Sequence, residues 1–362
     1  MGVRIARAKT LPIGVDLGST VAKAAQLRAD DQDAELLAAT AVPLPRSLRA
    51  DLPGRLEFLS GEMRKRIKSG GFKGRQAILS VPARETFVHH VRIPKVPPAE
   101  IEKTVQAELA GKLPYPVEQA VIRYVVAGEI YAEGDTQQEV ITISAHRETL
   151  DAYLGMARRA KLDVIGINVE SCAVVECFSR LFRRKTDAGR TILYIDLGSL
   201  STQVVLSHGA RIVFARNLSL GGERFDQAVA DAMGIPIEEA NELRRRFQAD
   251  PKEPRERDEL HGLVEGPVSQ LIDELTQCLR YYESVFRNQA IERAIFVGGQ
   301  AHDKPLCQEI ARRLDLPAQI GDPLMRVRRP DGAGLTAGLD LRTPQPDWAV
   351  AVGLSLGAGR AA

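Results

Sequence analysis

The sequence predicts an α/β fold of two homologous halves, each a mixed sheet flanked by helices. An α/β subdomain is inserted in the first half and a helical one in the second. Three observations carry this reading. The 362 residues exceed one ordinary single-core domain. The segment IGVDLGST at 13–20 returns as YIDLGSLST at 194–202, with Asp16 and Asp196 180 positions apart, about half the chain and too far for a solenoid repeat. Each copy is a β-run that ends in a glycine turn and continues into a second β-run, VAKAAQLRA after the first and TQVVLSHGARIVFARNL after the second.

Composition excludes several classes. Hydrophobic residues at 44% and charged residues at 27% match a globular chain rather than a disordered one. The formal net charge of +2 supplies no general field for nucleic acid or acidic lipid, so nucleic acid is not an expected partner. No apolar run reaches the roughly 18–20 residues of a spanning helix, and MGVRIARAKT has no apolar signal region, so neither a membrane span nor a cleaved signal is expected. Cys172, Cys177, Cys278 and Cys307 form no CxxC pair and no zinc spacing, which points to core thiols in a reducing cytoplasm.

Residues 1–83 form the first part of the first half and contain the first hairpin. Glycine at such a turn tolerates positive φ and lets backbone N–H groups approach an anion, and Ser or Thr hydroxyls add donors. An aspartate at the strand end can orient hydrated Mg²⁺. A plain hairpin turn also uses Asp-x-Gly, but two matching copies favour a phosphate-holding pair. Residues 84–164 read as the inserted subdomain. Ile101, Val105, Leu109 and Leu113 share one helix face, VIRYVVAGEIYA and EVITISA are strands around the turn EGDTQ, and a helix RETLDAYLGMARRAKL turns Leu150, Tyr153, Leu154 and Ala157 inward. His89 and His90 are neighbours on a strand and face opposite ways, which argues against joint metal binding.

Residues 165–189 return to the first sheet and bring Glu170, either a candidate base or a helix cap. Residues 190–225 hold the second hairpin and LSLGGERFDQAVADAM, where Gly221 and Gly222 precede an amphipathic helix with Phe225, Val229 and Met233 on one face. Residues 226–290 are mostly helical, with the charged loop DPKEPRERDE and the run RRRF at 244–247, which reads as a solvated helix face rather than a nucleic-acid site. The later helix puts Val268, Leu271, Ile272, Leu275, Leu279, Tyr282 and Phe286 on a core face. Residues 291–362 complete the second half. AIFVGGQAHDKPL is a buried strand, a Gly298-Gly299 turn able to lie against a planar ring, and a helix; RRPDGAGLTAGLDLRTPQPD is an irregular loop before a final helix.

The series DLGST, DLGSLST, LGGERFD and VGGQA resembles the actin, heat-shock chaperone and sugar-kinase superfamily of ATP-binding folds. The resemblance implies nucleotide held between the halves. Gly18, Ser19, Thr20 and Lys23 would face phosphates from one side, and Gly198, Ser199, Ser201 and Thr202 from the other. Asp16 and Asp196 would sit at the metal, Gly221, Gly222 and Glu223 at the ribose, and Gly298, Gly299 and Gln300 at the base. Actin has a His one place beyond the Thr of the second hairpin, where this chain has Gln203, which can still position water. Glu170 and Gln203 are therefore the catalytic candidates, and slow ATP hydrolysis stays an open expectation.

The segment VPARETFVHHVRIPKVPPAEIEKTVQAELAGKLPYPVEQAVIRYVVAGE is similar to the inserted subdomain of the PilM family of type IV pilus machines, also called competence protein A. Ile93-Pro94-Lys95-Val96-Pro97, Leu113-Pro114-Tyr115-Pro116 and the ending PDWAVAVGLSLGA carry the likeness. It implies an actin-like ATPase fold with an FtsA-like inserted subdomain, acting as a cytoplasmic ATP- and Mg²⁺-binding scaffold at the inner face of the bacterial inner membrane. The partner it implies is the N-terminal cytoplasmic tail of a PilN-like bitopic membrane protein, docked as an extended peptide. Membrane contact would come only through partners, and pilus assembly ATPases and a second copy of the chain are further candidates. Two other readings stand beside it. A sugar or small-molecule kinase would need a carboxylate base near the phosphate loops, and the insert counts against it. An FtsA-like filament protein would end in an amphipathic membrane helix, for which GLSLGAGRAA is too short and glycine-rich.

Overall fold

Two sheets of the same internal order make up the body of the chain, and the site lies where they face each other. The computed structural model describes residues 8–30, 33–132, 134–180, 189–249, 254–287, 289–328, 339 and 342–357. The first sheet opens with β1 (Lys9–Thr10), β2 (Ile13–Asp16), β3 (Val21–Ala29) and β4 (Ala34–Pro43). Helix α1 (Leu52–Ser69), capped by Asp51 on the Gly54 N–H, leads to β5 (Gln76–Val81), which runs parallel to β2. The insert follows as β6 (Thr86–Pro94), α2 (Pro98–Leu109), β7 (Ala120–Ala132) and β8 (Asp135–His146), a separate antiparallel sheet of order β6-β8-β7. Then α3 (Arg147–Arg159) returns to β9 (Asp163–Val169), parallel to β5, and α4 (Glu170–Ser179) follows.

The second sheet repeats the plan. It consists of β10 (Thr191–Leu197), β11 (Thr202–His208), β12 (Arg211–Leu218), β13 (Ile291–Val297) and β14 (Ala318–Ile320). Helices α5 (Gly222–Met233), α6 (Ile237–Ala249) and α7 (Pro254–Val285) separate β12 from β13, and α8 (Lys304–Arg313) joins β13 to β14. The orders β4-β3-β2-β5-β9 and β12-β11-β10-β13-β14 match strand for strand, which gives the sequence repeat its structural counterpart. A short β15 (Val327–Arg328) then pairs with β4, and α9 (Ala349–Gly357) is the last described element.

Alternation along β10 shows how the layers are built. Leu193, Ile195 and Leu197 face a core with Leu271, Leu275 and Phe225, whereas Ile192 and Tyr194 face a central core with Val174, Phe178, Trp348 and Val352. That central core also takes Ala25, Leu27, Leu36 and Ala39 from the first sheet, so α4 and α9 form a layer shared by both halves. Close approach requires glycine here: a Cβ on Gly353 would fall 1.9 Å from the Ala173 carbonyl, and one on Gly14 2.1 Å from that of Ala351. Each fully buried aliphatic side chain in these cores contributes roughly 1.5–3 kcal/mol.

The packing differs from the sequence reading at several points. α3 does not pack within the insert; Tyr153, Met156 and Ala157 pack with Leu59 and Met63 of α1, leaving Leu150 and Leu154 half-buried. The insert's own core is Val91, Ile93, Ile101, Val105, Leu109 and Val140. α9, expected to complete the second half, packs most closely on α4, β2 and β3, within the layer that the two sheets share. Met233, expected inward, is 49% exposed because α5 ends there at Gly234. Much of the irregular loop expected at 328–347, the start of the charged loop at 250–259 and the chain after 357 lie outside the described residues; the rest of that charged segment, expected as a loop, is the beginning of helix α7. Among the described residues, no helix is long and apolar enough to cross a membrane.

Candidate functional site

The two glycine hairpins point into one cleft between the halves. In the first, Asp16 pairs across the ladder with Lys23; in the second, Asp196 pairs with Gln203 and Leu197 with Thr202. Lys23 and Gln203 therefore occupy corresponding positions. The second loop is closed by the Gly198 N–H donating to the Ser201 carbonyl at 3.0 Å. The cleft encloses about 1030 Å³ and is lined by Asp16, Gly18, Ser19, Thr20 and Lys23 on one side and by Asp196, Gly198, Ser199, Ser201 and Gln203 on the other. Glu170 and the turn Gly298, Gly299, Gln300 complete its walls. Gly298 has φ +87°, and a Cβ there would meet an Asp196 carboxylate oxygen at 2.3 Å, so the turn and the hairpin can meet only through glycine.

The floor is crowded with carboxylates. Burial pushes Asp16 up to about 6, against the pull of Lys23 and a hydrogen bond from the Ser80 hydroxyl at 3.2 Å. Burial and then the neighbouring Asp16 push Asp196 up to about 7. Burial, with Asp16 and Asp196 nearby, lifts Glu170 well above the usual carboxylate range, and the Gln203 amide donates to it. Among the described residues no cluster of three or more His, Cys, Asp or Glu is arranged to hold a metal ion. A hydrated cation takes one or two carboxylates and completes its shell with water or ligand oxygens, and Asp16 and Asp196 are two carboxylates that line this cleft.

Four expected residues do not line the cleft. Thr202 is fully buried and its hydroxyl donates to the Leu220 carbonyl at 2.7 Å. Gly221 and Gly222 are buried behind the second hairpin; the Gly222 N–H donates to the Gly198 carbonyl at 3.0 Å and the Glu223 N–H to that of Ser199 at 2.8 Å. This segment buttresses the hairpin from behind. Glu223 turns its side chain to Arg46 of the first half, 3.5 Å away, and Arg46 also reaches Glu238 at 3.1 Å.

Other residues in the cleft were not singled out from the sequence. Asp347 takes the Lys23 ammonium at 2.8 Å and the His302 ring at 3.0 Å, joining β3 to the turn after β13. Burial works against the Asp347 carboxylate, yet Lys23 and His302 hold it well below the usual range. The Lys23 ammonium, expected to face phosphates, is thus already paired and also lies 5.7 Å from the centre of the Trp348 ring. Arg244, expected on a solvated face, is 6% exposed and bonds Asp226 at 2.6 Å. The quoted ending PDWAVAVGLSLGA contained Asp347, but a 324-residue separation from Lys23 hides the pairing.

Comparison with known proteins agrees with this architecture. The chain superposes on the structure of a PilM-PilN type IV pilus biogenesis complex with TM-score 0.78 and 20% identity, over 97% of this chain and 99% of that one. The ethanolamine utilization protein EutJ from Carboxydothermus hydrogenoformans matches at TM-score 0.54 and 14% identity, covering 95% of this chain and 89% of that one. MreB5 of Spiroplasma citri bound to ADP matches at TM-score 0.51 and 12% identity, over 95% of each. The fold is therefore actin-like. A family described as type IV pilus assembly protein PilM matches residues 14–358, so the chain belongs to the PilM family of actin-like type IV pilus assembly proteins.

Proposed function

We propose that the cleft binds ATP with Mg²⁺ and that nucleotide occupancy controls how this scaffold holds the cytoplasmic tail of a PilN-like membrane protein at the inner membrane. One observation carries the nucleotide part: two hairpins 180 residues apart and the Gly298-Gly299 turn open into a single cavity of about 1030 Å³, room for a nucleoside triphosphate. Backbone N–H groups and the Ser19, Thr20, Ser199 and Ser201 hydroxyls would hold phosphates. Asp16 and Asp196 would hold Mg²⁺, which when bound offsets phosphate charge. MreB5, of the same fold, was solved with ADP. Glu170 and Gln203, bonded to each other in the cleft wall, would hold a water, so slow hydrolysis is part of the reading. The relative was solved as a PilM-PilN complex, which supports a PilN-like partner; its tail would bind as an extended peptide beside the insert.

Calorimetric titration with ATP, with and without Mg²⁺, tests the first part. Micromolar, metal-dependent binding is the expected result; no binding in either buffer would leave a scaffold without nucleotide control. Titration of a synthetic PilN tail peptide into the ATP-loaded and the nucleotide-free protein tests the second, and equal affinity in both would remove the coupling.

A further inference from the structure

We infer that Arg244 is a positioning residue that holds the Gln300 amide so that its N–H₂ faces the nucleoside end of the ligand. The inference rests on the nucleotide reading above and deepens it. Arg244 sits on α6, remote in sequence from both glycine elements it touches. Its Nη1 donates to Asp226 Oδ1 at 2.6 Å and to the Gly222 carbonyl at 3.2 Å, and its Nη2 to Gln300 Oε1 at 3.0 Å. The guanidinium lies 5.2 Å from the centre of the Phe225 ring, and the second Asp226 oxygen accepts from the Asn241 amide at 2.7 Å. The buried ion pair is thus complete without Gln300, yet the Nη2 end of the arginine fork reaches out of it to the cleft wall, where it also lies 3.9 Å from Asp303 Oδ2.

That contact determines which way the amide points. Arginine has only donors, so the Gln300 atom facing it is the oxygen, and the nitrogen is left to donate elsewhere. Gly222 holds the same side chain from below: a Cβ there would lie 2.3 Å from Gln300 Nε2 and 2.4 Å from its Cδ. A side chain at this position would displace the amide from where it lies. Gly222 and Arg244 come from two different helices and act on one side chain that lines the cavity beside Gly299. A donor fixed in this way selects a ligand atom that accepts, such as a purine ring nitrogen or a ribose oxygen, and loses no rotamer freedom on binding. Phosphates are held elsewhere, by the hairpins, so the effect is confined to the nucleoside.

The test measures dissociation constants for ATP and for inorganic tripolyphosphate, both with Mg²⁺, on the full chain. The variants are Arg244→Lys, Gln300→Leu and the two combined. Each single substitution is expected to weaken ATP about tenfold, the scale of one hydrogen bond, and to change tripolyphosphate less than twofold. If Arg244 acts through Gln300, the double variant binds ATP no worse than Gln300→Leu alone. Multiplying losses in the double variant, equal losses for tripolyphosphate, or an unchanged Gln300→Leu would each overturn the inference. Gln300→Leu leaves the Arg244–Asp226 pair intact and decides the question even if Arg244→Lys fails to fold. A wild-type protein that binds ATP, with both single variants binding it equally well, overturns this inference alone; a wild-type protein that does not bind ATP overturns the nucleotide reading with it.

Discussion

The Gln203 side-chain amide donates to the Glu170 carboxylate, joining the second hairpin to the first residue of α4. Both residues stand beside the two aspartates, and Gln203 holds the place on its hairpin that Lys23 holds on the other. Glu170→Gln is expected to lower single-turnover phosphate release at least tenfold relative to wild type, with ATP affinity changed less than threefold. Because burial and the neighbouring aspartates raise the Glu170 pKa, wild-type turnover should climb as pH rises above the usual carboxylate range. A rate indifferent to both the substitution and pH would remove Glu170 from the chemistry.

Asp196 illustrates a conflict between stability and function. Its carboxylate is buried beside Asp16 and pushed up to about 7, so ionising it at neutral pH strains the ligand-free fold. Asp196→Asn removes that charge and should stabilise the ligand-free protein by about 1–3 kcal/mol at pH 7. The same change should weaken Mg²⁺-dependent ATP binding tenfold or more. Thermal melts alongside calorimetry read both effects, and a less stable variant that binds normally would contradict them.

Lys23 and Asp347 tie the two halves at the cleft floor, with His302 on the far side of the carboxylate. Removing one partner leaves a poorly solvated charge, so Asp347→Ala should destabilise the chain by about 2–4 kcal/mol in denaturant unfolding. In a double-mutant cycle with Lys23→Met, a coupling energy near zero would show that the pair is dispensable.

Glu139 links the insert to the second half. It is fully buried and accepts from His90 Nδ1 at 3.0 Å, from Arg92 Nε at 3.3 Å and from the Tyr281 hydroxyl; His90 Nε2 in turn meets the Ala215 carbonyl at 3.1 Å. Burial alone would raise the Glu139 pKa, but the bonds from His90, Tyr281 and Arg92 prevail and lower it. A carboxyl whose folded pKa is depressed contributes stability above its unfolded value, and that contribution fades as pH falls through the folded one. Wild-type stability should therefore drop on acidification from pH 5 toward 3 more steeply than that of Glu139→Gln. Parallel slopes in urea titrations across that range would exclude the mechanism.

Legibility followed the range of the physics. The hairpins were readable because Asp-x-Gly-Ser closes a turn within eight residues and occurs twice; the structure turns both copies into one cleft. The core faces of α2 and α7 were readable because a 3.6-residue period marks one side of a helix, and Ile101, Val105, Leu271 and Leu275 are all buried. The period does not name the partner surface. Tyr153 and Ala157 faced inward as expected, yet toward α1 rather than the insert. Thr202 belonged to a donor-rich loop, but whether its hydroxyl meets a ligand or the Leu220 carbonyl depends on a strand end eighteen residues away.

By itself, then, the sequence determined what local spacing and repetition can encode: an α/β chain of two like halves, paired glycine hairpins with an aspartate at each strand end, and amphipathic helices around them. Only the tertiary structure decided the placement of α9 between the sheets, the pairing of Lys23 with Asp347, the burial of Arg244 against Asp226 and Gln300, and the seating of Glu139 under Tyr281. Each of these joins groups 18 to 324 positions apart. A charge is stable in the interior only when the whole fold brings its partner to it, and no window of sequence contains that partner.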